Sequence, residues 1–357
     1  MAGKLKVGVI GAGMIANAGH IPGWKSLCDE VEVVAVANPN KAKAQLTANN
    51  EGIQRVYDDW RQMLVDVEPD IVSVCTPNVF HCEQAIAAFE AGAHVFCEKP
   101  PGRDLEEIAN VIRCEKGNPE LKLKYGFNHR YHDSVREALQ IVRSGELGQV
   151  INLRAVYGKS QMVTFGSDSD WRTERALAGG GILLDQGIHM VDLLRLFAGE
   201  FDDINSYISN AYWGHEVEDN AYALMRSSTG VVAMLHSSAT QWRHRFNLDI
   251  TLERGTLILQ GILSGSKSYG QEQLIVSRNT GDDRGNPAEE LIEYNLDNSW
   301  KDEIEDFARA IKNDGEIVNG CSIDAFNTMK LVYRIYCADA DWRKKWGLTD
   351  DIELDYQ

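Results

Sequence analysis

Short apolar runs that end on glycine, asparagine or proline punctuate the first third of the chain. Residues 4–10 (KLKVGVI) stop at Gly11, and residues 31–37 stop at Asn38-Pro39-Asn40. Residues 70–75 (DIVSVC) and 93–97 (AHVFC) have the same form. Runs of this length, bounded by turn residues, predict buried strands. Between the last two, Cys82, Ala85, Ile86 and Phe89 recur at helical spacing, and Gly92 ends that helix. Alternating strand and helix predicts a parallel sheet whose ligand sits at the carboxyl ends of the strands. The texture changes from Gln149 onward. After a helix within residues 180–193, strand-like runs such as 231–240 and 247–252 follow one another. The acidic, glycine-rich stretch 281–290 reads as a hairpin or surface loop, and helices near 300–313 and 323–345 close the chain. The pattern predicts an α/β domain with a parallel sheet followed by an α+β domain with a largely antiparallel one. A length of 357 residues suits two domains, and the boundary is drawn between residues 1–127 and 128–357.

The turn after the first run reads Gly11-Ala12-Gly13-Met14-Ile15-Ala16. This is G-x-G-x-x-A between a strand and a helix, the context of the dinucleotide-binding fingerprint of a Rossmann domain. Gly11 supplies the tight turn, and Gly13 lets the backbone approach a pyrophosphate. The helix N-terminus at Met14 and Ile15 offers unpaired N–H groups to that anion. Ala16 replaces the third glycine and still permits close packing of helix on strand. At the end of the second run an acidic residue ordinarily accepts hydrogen bonds from the adenosine ribose. Here it is Asn38, which keeps the hydrogen bonding but carries no charge against a 2′-phosphate. Lys41 and Lys43 stand nearby, either to favour that phosphate or as helix-surface lysines. The cofactor reading is NAD, with NADP left open.

Charge and cysteine usage narrow the partners. With 36 basic and 53 acidic residues the net charge is −17, which argues against nucleic acid or anionic membranes. It leaves room for an anionic small molecule in a locally basic pocket. No apolar stretch approaches the roughly 20 residues of a spanning helix, and the first strand begins at once, leaving no room for a signal peptide. Seven cysteines show no C-x-x-C pair or zinc spacing, and Cys75 and Cys97 fall in strand-like runs. Reduced thiols in the cytoplasm and no metal site are the expectation.

Two stretches carry candidate chemistry. In residues 180–193 (GGILLDQGIHMVDL), a helix would place Asp185 and His189 four apart on one face, with Asp192 continuing the stripe. Leu184, Ile188 and Val191 would form a separate apolar stripe. A solvated edge with a hydrogen-bonded core histidine explains this helix equally well when it is read alone. The second stretch is Glu98-Lys99-Pro100, directly after the run at 93–97. A lysine at a strand carboxyl end points at the ligand crevice, and an X–Pro bond here could be cis. An exposed loop lysine is the plainer alternative.

In order along the chain stand GAGMIA, TPNVFH at 76–81, CEKP at 97–100 and GGGILLDQGIHMVD at 179–192. Together they resemble the glucose–fructose oxidoreductase, inositol dehydrogenase and rhizopine-catabolism (Gfo/Idh/MocA) family over essentially the whole chain. EKP and D-x-G-x-H are the specific part. The resemblance implies a Rossmann domain followed by an α+β domain whose large open sheet often forms oligomer contacts, here in a homodimer or homotetramer. It implies hydride transfer between NAD(H) or NADP(H) and a secondary hydroxyl or ketone of a sugar or cyclitol ring. Carried over by motif, Lys99, Asp185 and His189 match the family's catalytic constellation. Thr76, Asn78, His81 and Glu98 match residues lining the nicotinamide half of the cofactor. Asn38 departs from the aspartate of many relatives, which leaves the cofactor preference open.

The residue types suit that chemistry. Oxidising a carbinol needs a base for the hydroxyl proton while hydride leaves from the same carbon. Histidine titrates near working pH, and such catalysis contributes roughly 10²–10⁴-fold. The Lys99 cation would favour alkoxide character at the reacting oxygen. Asp185 would accept a neighbouring hydroxyl or hold a His189 tautomer. Asn128, Arg130 and Tyr131, which begin a helix, line the substrate pocket or form a helix cap. Trp171, Arg172, Tyr157, Lys159 and Gln161 are further substrate-facing candidates. Residues 242–245 (WRHR) are read as decorating the second sheet or an oligomer interface, and His20 and His129 receive no role. The leading reading is a dehydrogenase for a free or simply substituted sugar or cyclitol. One alternative is a nucleotide-sugar enzyme of polysaccharide or deoxysugar synthesis, with Arg130, Lys159, Arg172 and Arg175 on the diphosphate. The other is a non-catalytic dinucleotide-sensing protein, against which the pairing of Lys99 with His189 speaks.

Overall fold

The apolar runs of the first third form β1 (Leu5–Ile10), β2 (Val31–Ala37), β3 (Arg55–Tyr57), β4 (Ile71–Val74), β5 (His94–Glu98) and β6 (Leu123–Gly126). The computed structural model describes residues 3–162, 170–264, 267–352 and 354. The six strands pair in parallel in the order β3-β2-β1-β4-β5-β6. β1, β4 and β5 are buried on both faces, which is why they read as continuous apolar runs. The strand order reverses between β1 and β4, and the crevice beyond their carboxyl ends is where such sheets bind ligands.

Contacts divide the chain into two units, Met1–Asn128 with Asn298–Asn327, and His129–Asp297 with Thr328–Gln357. The first unit therefore includes a segment that the linear reading leaves with residues 128–357. The helix Ser299–Lys312 returns to pack on the helix that follows β1. Gly19 and Gly23 make the approach possible, since a Cβ there would stand 2.7 Å from Trp300 and 2.5 Å from Ile304. Phe307 closes the contact against Trp24 and Phe96, with ring centroids 6.3 and 5.5 Å away.

The second unit contains β7 (Val150–Gly158), β8 (Asp203–Ser209), β9 (Asn220–Arg226), β10 (Val232–Ser238), β11 (Arg245–Leu252), β12 (Gly255–Gln260), β13 (Glu272–Arg278) and β14 (Glu289–Tyr294). Their order is β14-β13-β12-β11-β7-β10-β9-β8, antiparallel throughout except for the parallel pair β7–β10. Residues 281–290 lie largely in the connection of the β13–β14 hairpin. Along β9 the side chains alternate, Ala221, Ala223 and Met225 inward and Tyr222, Leu224 and Arg226 outward, which is the signature of a sheet buried on one face. The helix Ile188–Ala198 covers part of the inner face against β7 and β10.

The helix expected over 180–193 is not regular. Leu183–Gly187 is π-helical and only Ile188–Ala198 is α-helical. The backbone of Gly187 is pressed on β10, where a Cβ would lie 2.2 Å from the Ser237 hydroxyl, and the wider turn accommodates that approach. Leu184, Ile188 and Val191 are fully buried, as the apolar stripe requires. Among the described residues, no helix is long and apolar enough to cross a membrane.

Candidate active site

In the first unit the fingerprint glycines play different parts. Gly11 has φ +103°, and a Cβ there would lie 2.6 Å from the Cys75 carbonyl oxygen, so only glycine makes the turn. A Cβ on Gly13 would meet nothing within 4 Å. That open space, beside the start of a helix and next to exposed Met14 and half-buried Ile15, fits a pyrophosphate. Asn38 braces the same turn: its Oδ1 accepts from the Ala12 N–H at 3.2 Å and its Nδ2 donates to the Asn40 carbonyl at 3.1 Å. The carboxamide that replaces the usual carboxylate thus holds the glycine turn.

The residues after β4 and β5 brace one another. Thr76 donates its hydroxyl to Gln84 at 2.6 Å, and buried Asn78 begins the short turn Asn78–Phe80. His81 is buried with its Nδ1 2.8 Å from the Pro100 carbonyl and its Nε2 2.8 Å from that of Thr76. Burial lowers the His81 pKa, against the pull of both carbonyls, so the neutral ring is favoured. The imidazole sits between the loop after β4 and the loop after β5, and as a neutral ring it donates to one of the two carbonyls at a time. Lys99 is half-buried, and its bond to Pro100 is cis. Glu98 turns inward, its Oε1 2.8 Å from His20 Nε2. His20 Nδ1 meets the Ser73 hydroxyl at 2.6 Å, and Ser73 accepts from the Trp24 indole at 3.1 Å. His20, left without a role by the sequence, is the buried partner of the residue beside Lys99.

In the second unit a polar basin forms at the carboxyl end of β7. Lys159 donates to Asp185 Oδ2 at 2.9 Å, and Arg172 reaches Asp185 Oδ1 at 3.3 Å and Asp170 at 3.3 Å. The Arg172 guanidinium lies over the Trp171 ring, 4.5 Å from its centroid. His189 is buried and stacked on His129, with centroids 3.7 Å apart and planes 13° from parallel. His129 Nε2 lies 3.0 Å from the Tyr157 hydroxyl. Gln186 donates to the Tyr269 hydroxyl, and burial pushes the Tyr269 pKa up to about 12 and raises that of Tyr157. Both phenols therefore stay protonated. His244 spans Ser160 at 3.0 Å and Ser268 at 2.8 Å, with its ring beside Tyr269. It joins this basin directly before β11, and residues 242–245 are those read from the sequence as decorating the second sheet or an oligomer interface.

The Gly179–Asp192 motif is anchored by a residue the sequence did not single out. Glu218, fully buried, accepts from the N–H groups of Gly181 at 2.8 Å and Leu183 at 2.9 Å and from the Tyr336 hydroxyl at 2.6 Å. Asp192 follows His189 by three residues in the helix Ile188–Ala198. It is buried in a bidentate pair with Arg130 and accepts from Thr328 at 3.0 Å. Asn128, within the first unit, donates to the Ser299 hydroxyl at 3.1 Å, and Tyr131 is buried.

Residues 5–126 match the oxidoreductase family with an NAD-binding Rossmann fold, and residues 135–258 match the GFO/IDH/MocA C-terminal domain. The chain belongs to the Gfo/Idh/MocA oxidoreductases. It is 32% identical to the D-glucoside 3-dehydrogenase of Escherichia coli over 252 residues, covering 66% of this chain and 70% of that protein. It is 32% identical to the levoglucosan dehydrogenase of Pseudarthrobacter phenanthrenivorans over 214 residues, covering 58% of this chain and 54% of that protein. The fold matches a solved levoglucosan dehydrogenase in complex with NADH with a TM-score of 0.85 at 22% identity, over 95% of this chain and 98% of that one. Membership makes the first unit an NAD-binding Rossmann domain and the chain an oxidoreductase.

Proposed function

We propose that this oxidoreductase is a cytoplasmic dehydrogenase that oxidises a secondary hydroxyl of an uncharged sugar or cyclitol with NAD, using Lys99, Asp185 and His189. The observation that carries the reading is the charge balance of the basin. Lys159 and Arg172 are matched by Asp185 and Asp170, so these four side chains offer a neutral polyol donors and acceptors with no net charge among them. NAD bound at the glycine turn supplies the hydride acceptor. His189 takes the hydroxyl proton on a ring nitrogen, its plane fixed by the stack on His129. The Lys99 ammonium stabilises negative charge on the reacting oxygen. Asp185 accepts from a neighbouring hydroxyl.

Relatives named for glucosides, levoglucosan and inositol support the substrate class. The nucleotide-sugar reading is less well supported, because the cations it needs are engaged: Arg130 by Asp192, Lys159 and Arg172 by Asp185, and Arg175 over the Trp346 ring. In this reading residues 1–127 bind the dinucleotide, and residues 128–357 bind substrate and assemble copies. The outer sheet face, with exposed Tyr207, Tyr222, Leu224 and Met234 beside the pairs Asp203–Arg226 and Arg154–Asp249, offers a second copy both apolar surface and matched charges. The seven free thiols suit a reducing compartment.

The test is nicotinamide absorbance with NAD or NADP against glucosides, levoglucosan, inositols and nucleotide sugars. On the substrate so found, Lys99→Ala and His189→Ala should each lower turnover about 100-fold or more and leave NADH affinity largely intact. Near wild-type turnover in either variant would remove that residue from the mechanism.

A further inference from the structure

The loops at residues 210–219 and 239–244 join β8 to β9 and β10 to β11 at the same end of the strands as the basin. β10 ends at Ser238, which pairs with Gly158 of β7 on one side and Asn220 of β9 on the other. These loops bring together Tyr212, Trp213 and Trp242, with ring centroids 4.9 Å apart for Tyr212–Trp213, 5.3 Å for Tyr212–Trp242 and 6.3 Å for Trp213–Trp242. Tyr212 is 61% and Trp242 62% exposed.

The cluster is held outward by a built scaffold. Asp219, 1% exposed, accepts from the backbone N–H groups of Tyr212 and Trp213 at 2.9 and 3.0 Å. The Trp213 indole donates to the Ala239 carbonyl at 2.7 Å, and its ring packs on Met162, Ile182 and Ala239. A buried carboxylate and an indole hydrogen bond thus fix the base of the cluster while two large rings stay in water. Rings needed only for folding gain more from burial than from such presentation.

The cluster is continuous with the basin. The Lys159 N–H donates to the Ser238 carbonyl at 2.8 Å, and the Gln241 N–H donates to the Lys159 carbonyl at 3.0 Å. The segment that carries Trp242 is therefore paired with the segment that carries Lys159, the partner of Asp185. Two residues beyond Trp242, His244 lies in the basin itself.

We propose that Tyr212, Trp213 and Trp242 form a second sugar subsite, an aromatic wall for the ring that is glycosidically linked to the ring being oxidised. A pyranose presents C–H groups on its face, which suit the electron-rich faces of indole and phenol, and hydroxyls at its rim, which suit their polar edges. The substrate is then a glycoside of two or more rings. This rests on the reading of the basin as a sugar site.

The test compares cellobiose with glucose on the full chain. Calorimetric titration of the NADH-loaded protein with each sugar needs no turnover, and steady-state kinetics with NAD gives the kcat/KM ratio. Trp242→Ala and Tyr212→Ala should each lower the cellobiose-to-glucose ratio of both binding and kcat/KM about tenfold, mostly through KM. Trp242→Tyr should recover most of that preference. An unchanged ratio, or an equal loss for both sugars, overturns the subsite. A change in oligomer mass with the ratio intact overturns it too, in favour of an interface between copies. Selective loss of cellobiose binding without oxidation of either sugar would support the wall and count against the reaction. Glucose oxidation with an unaltered ratio would do the reverse.

Discussion

Replacing Asp185 with asparagine tests the claim that the basin is built for a neutral ligand. Asp185 holds Lys159 at 2.9 Å and Arg172 at 3.3 Å, and the three side chains are 15%, 20% and 25% exposed. Such partly covered pairs lie between the surface and buried regimes, at about 1–2 kcal/mol each. The four-residue cluster of Lys159, Arg172, Asp185 and Asp170 is neutral in the native protein and carries one net positive charge in Asp185→Asn. At about 6 Å and an effective dielectric near 20, a unit charge attracts a phosphate or carboxylate by about 3 kcal/mol before screening. At physiological salt roughly 1–2 kcal/mol survives, about 5- to 30-fold in affinity. For a neutral sugar the substitution removes a charged acceptor, and kcat/KM should fall about 10- to 100-fold. The assay is kcat/KM for a sugar against its 6-phosphate or uronate, at low and high salt. Asp185→Asn should shift the ratio toward the anion, and salt should erase the shift. If the native enzyme already preferred the anionic sugar, or the ratio did not move, the charge-balance argument would fail.

Three further outcomes follow from the geometry. Gly11→Ala should lower the melting temperature by several degrees, because its Cβ meets the Cys75 carbonyl at φ +103°, whereas Gly13→Val should keep the fold and weaken NADH binding; the reverse pattern in thermal melts and titrations would misplace the pyrophosphate. Burial raises the Glu218 pKa above the ordinary value of 4.5 against its hydrogen bonds, so its stabilisation is fullest at low pH and declines as pH rises through the raised value. The melting temperature of the native protein minus that of Glu218→Gln should therefore fall from pH 4 upward, and a difference that grows with pH would refute the assignment. Asn38→Asp keeps an acceptor for the Ala12 N–H and adds charge, so NADP use should fall by about 1–3 kcal/mol with NAD little changed; equal losses in steady-state kinetics with both cofactors would move Asn38 away from the ribose.

Much of the frame was legible because it depends on local order. β2 spans the run read from its apolar residues, and β1, β4 and β5 fall within one residue of theirs at each end, since strands in a covered parallel sheet are mostly apolar and turn residues mark where they stop. Partners far apart in sequence were not legible. Nothing near Gly19 announces Trp300, and nothing near Gly181 announces Glu218. The π-helical turn at Leu183–Gly187 follows from contact with β10 and leaves no trace in hydrophobic spacing. Asp185 and His189 could be picked out from residue type and motif, whereas His244, Gln186 and Tyr269 are ordinary in sequence and acquire meaning only beside one another. Arg130 is the converse, chemically attractive in sequence yet committed to Asp192.

Charge at two scales points to the same kind of ligand. With a net charge of −17 the chain repels anions at long range, and only a locally basic pocket could reverse that sign. The basin has the cations for such a pocket, but Asp185 and Asp170 cancel Lys159 and Arg172 within it. An enzyme for a phosphorylated or diphosphate-linked sugar would face repulsion on approach and find no net positive charge among these four side chains on arrival. A neutral ring meets neither obstacle, and what distinguishes one neutral ring from another is the placement of hydroxyls and apolar faces. The second unit sets out both kinds of group at one end of its strands: phenol, amide and imidazole in the basin, and indole and phenol faces beside it. On the proposed reading, specificity rests on shape and hydrogen bonding, and the ion pairs would aim the Asp185 carboxylate at a hydroxyl.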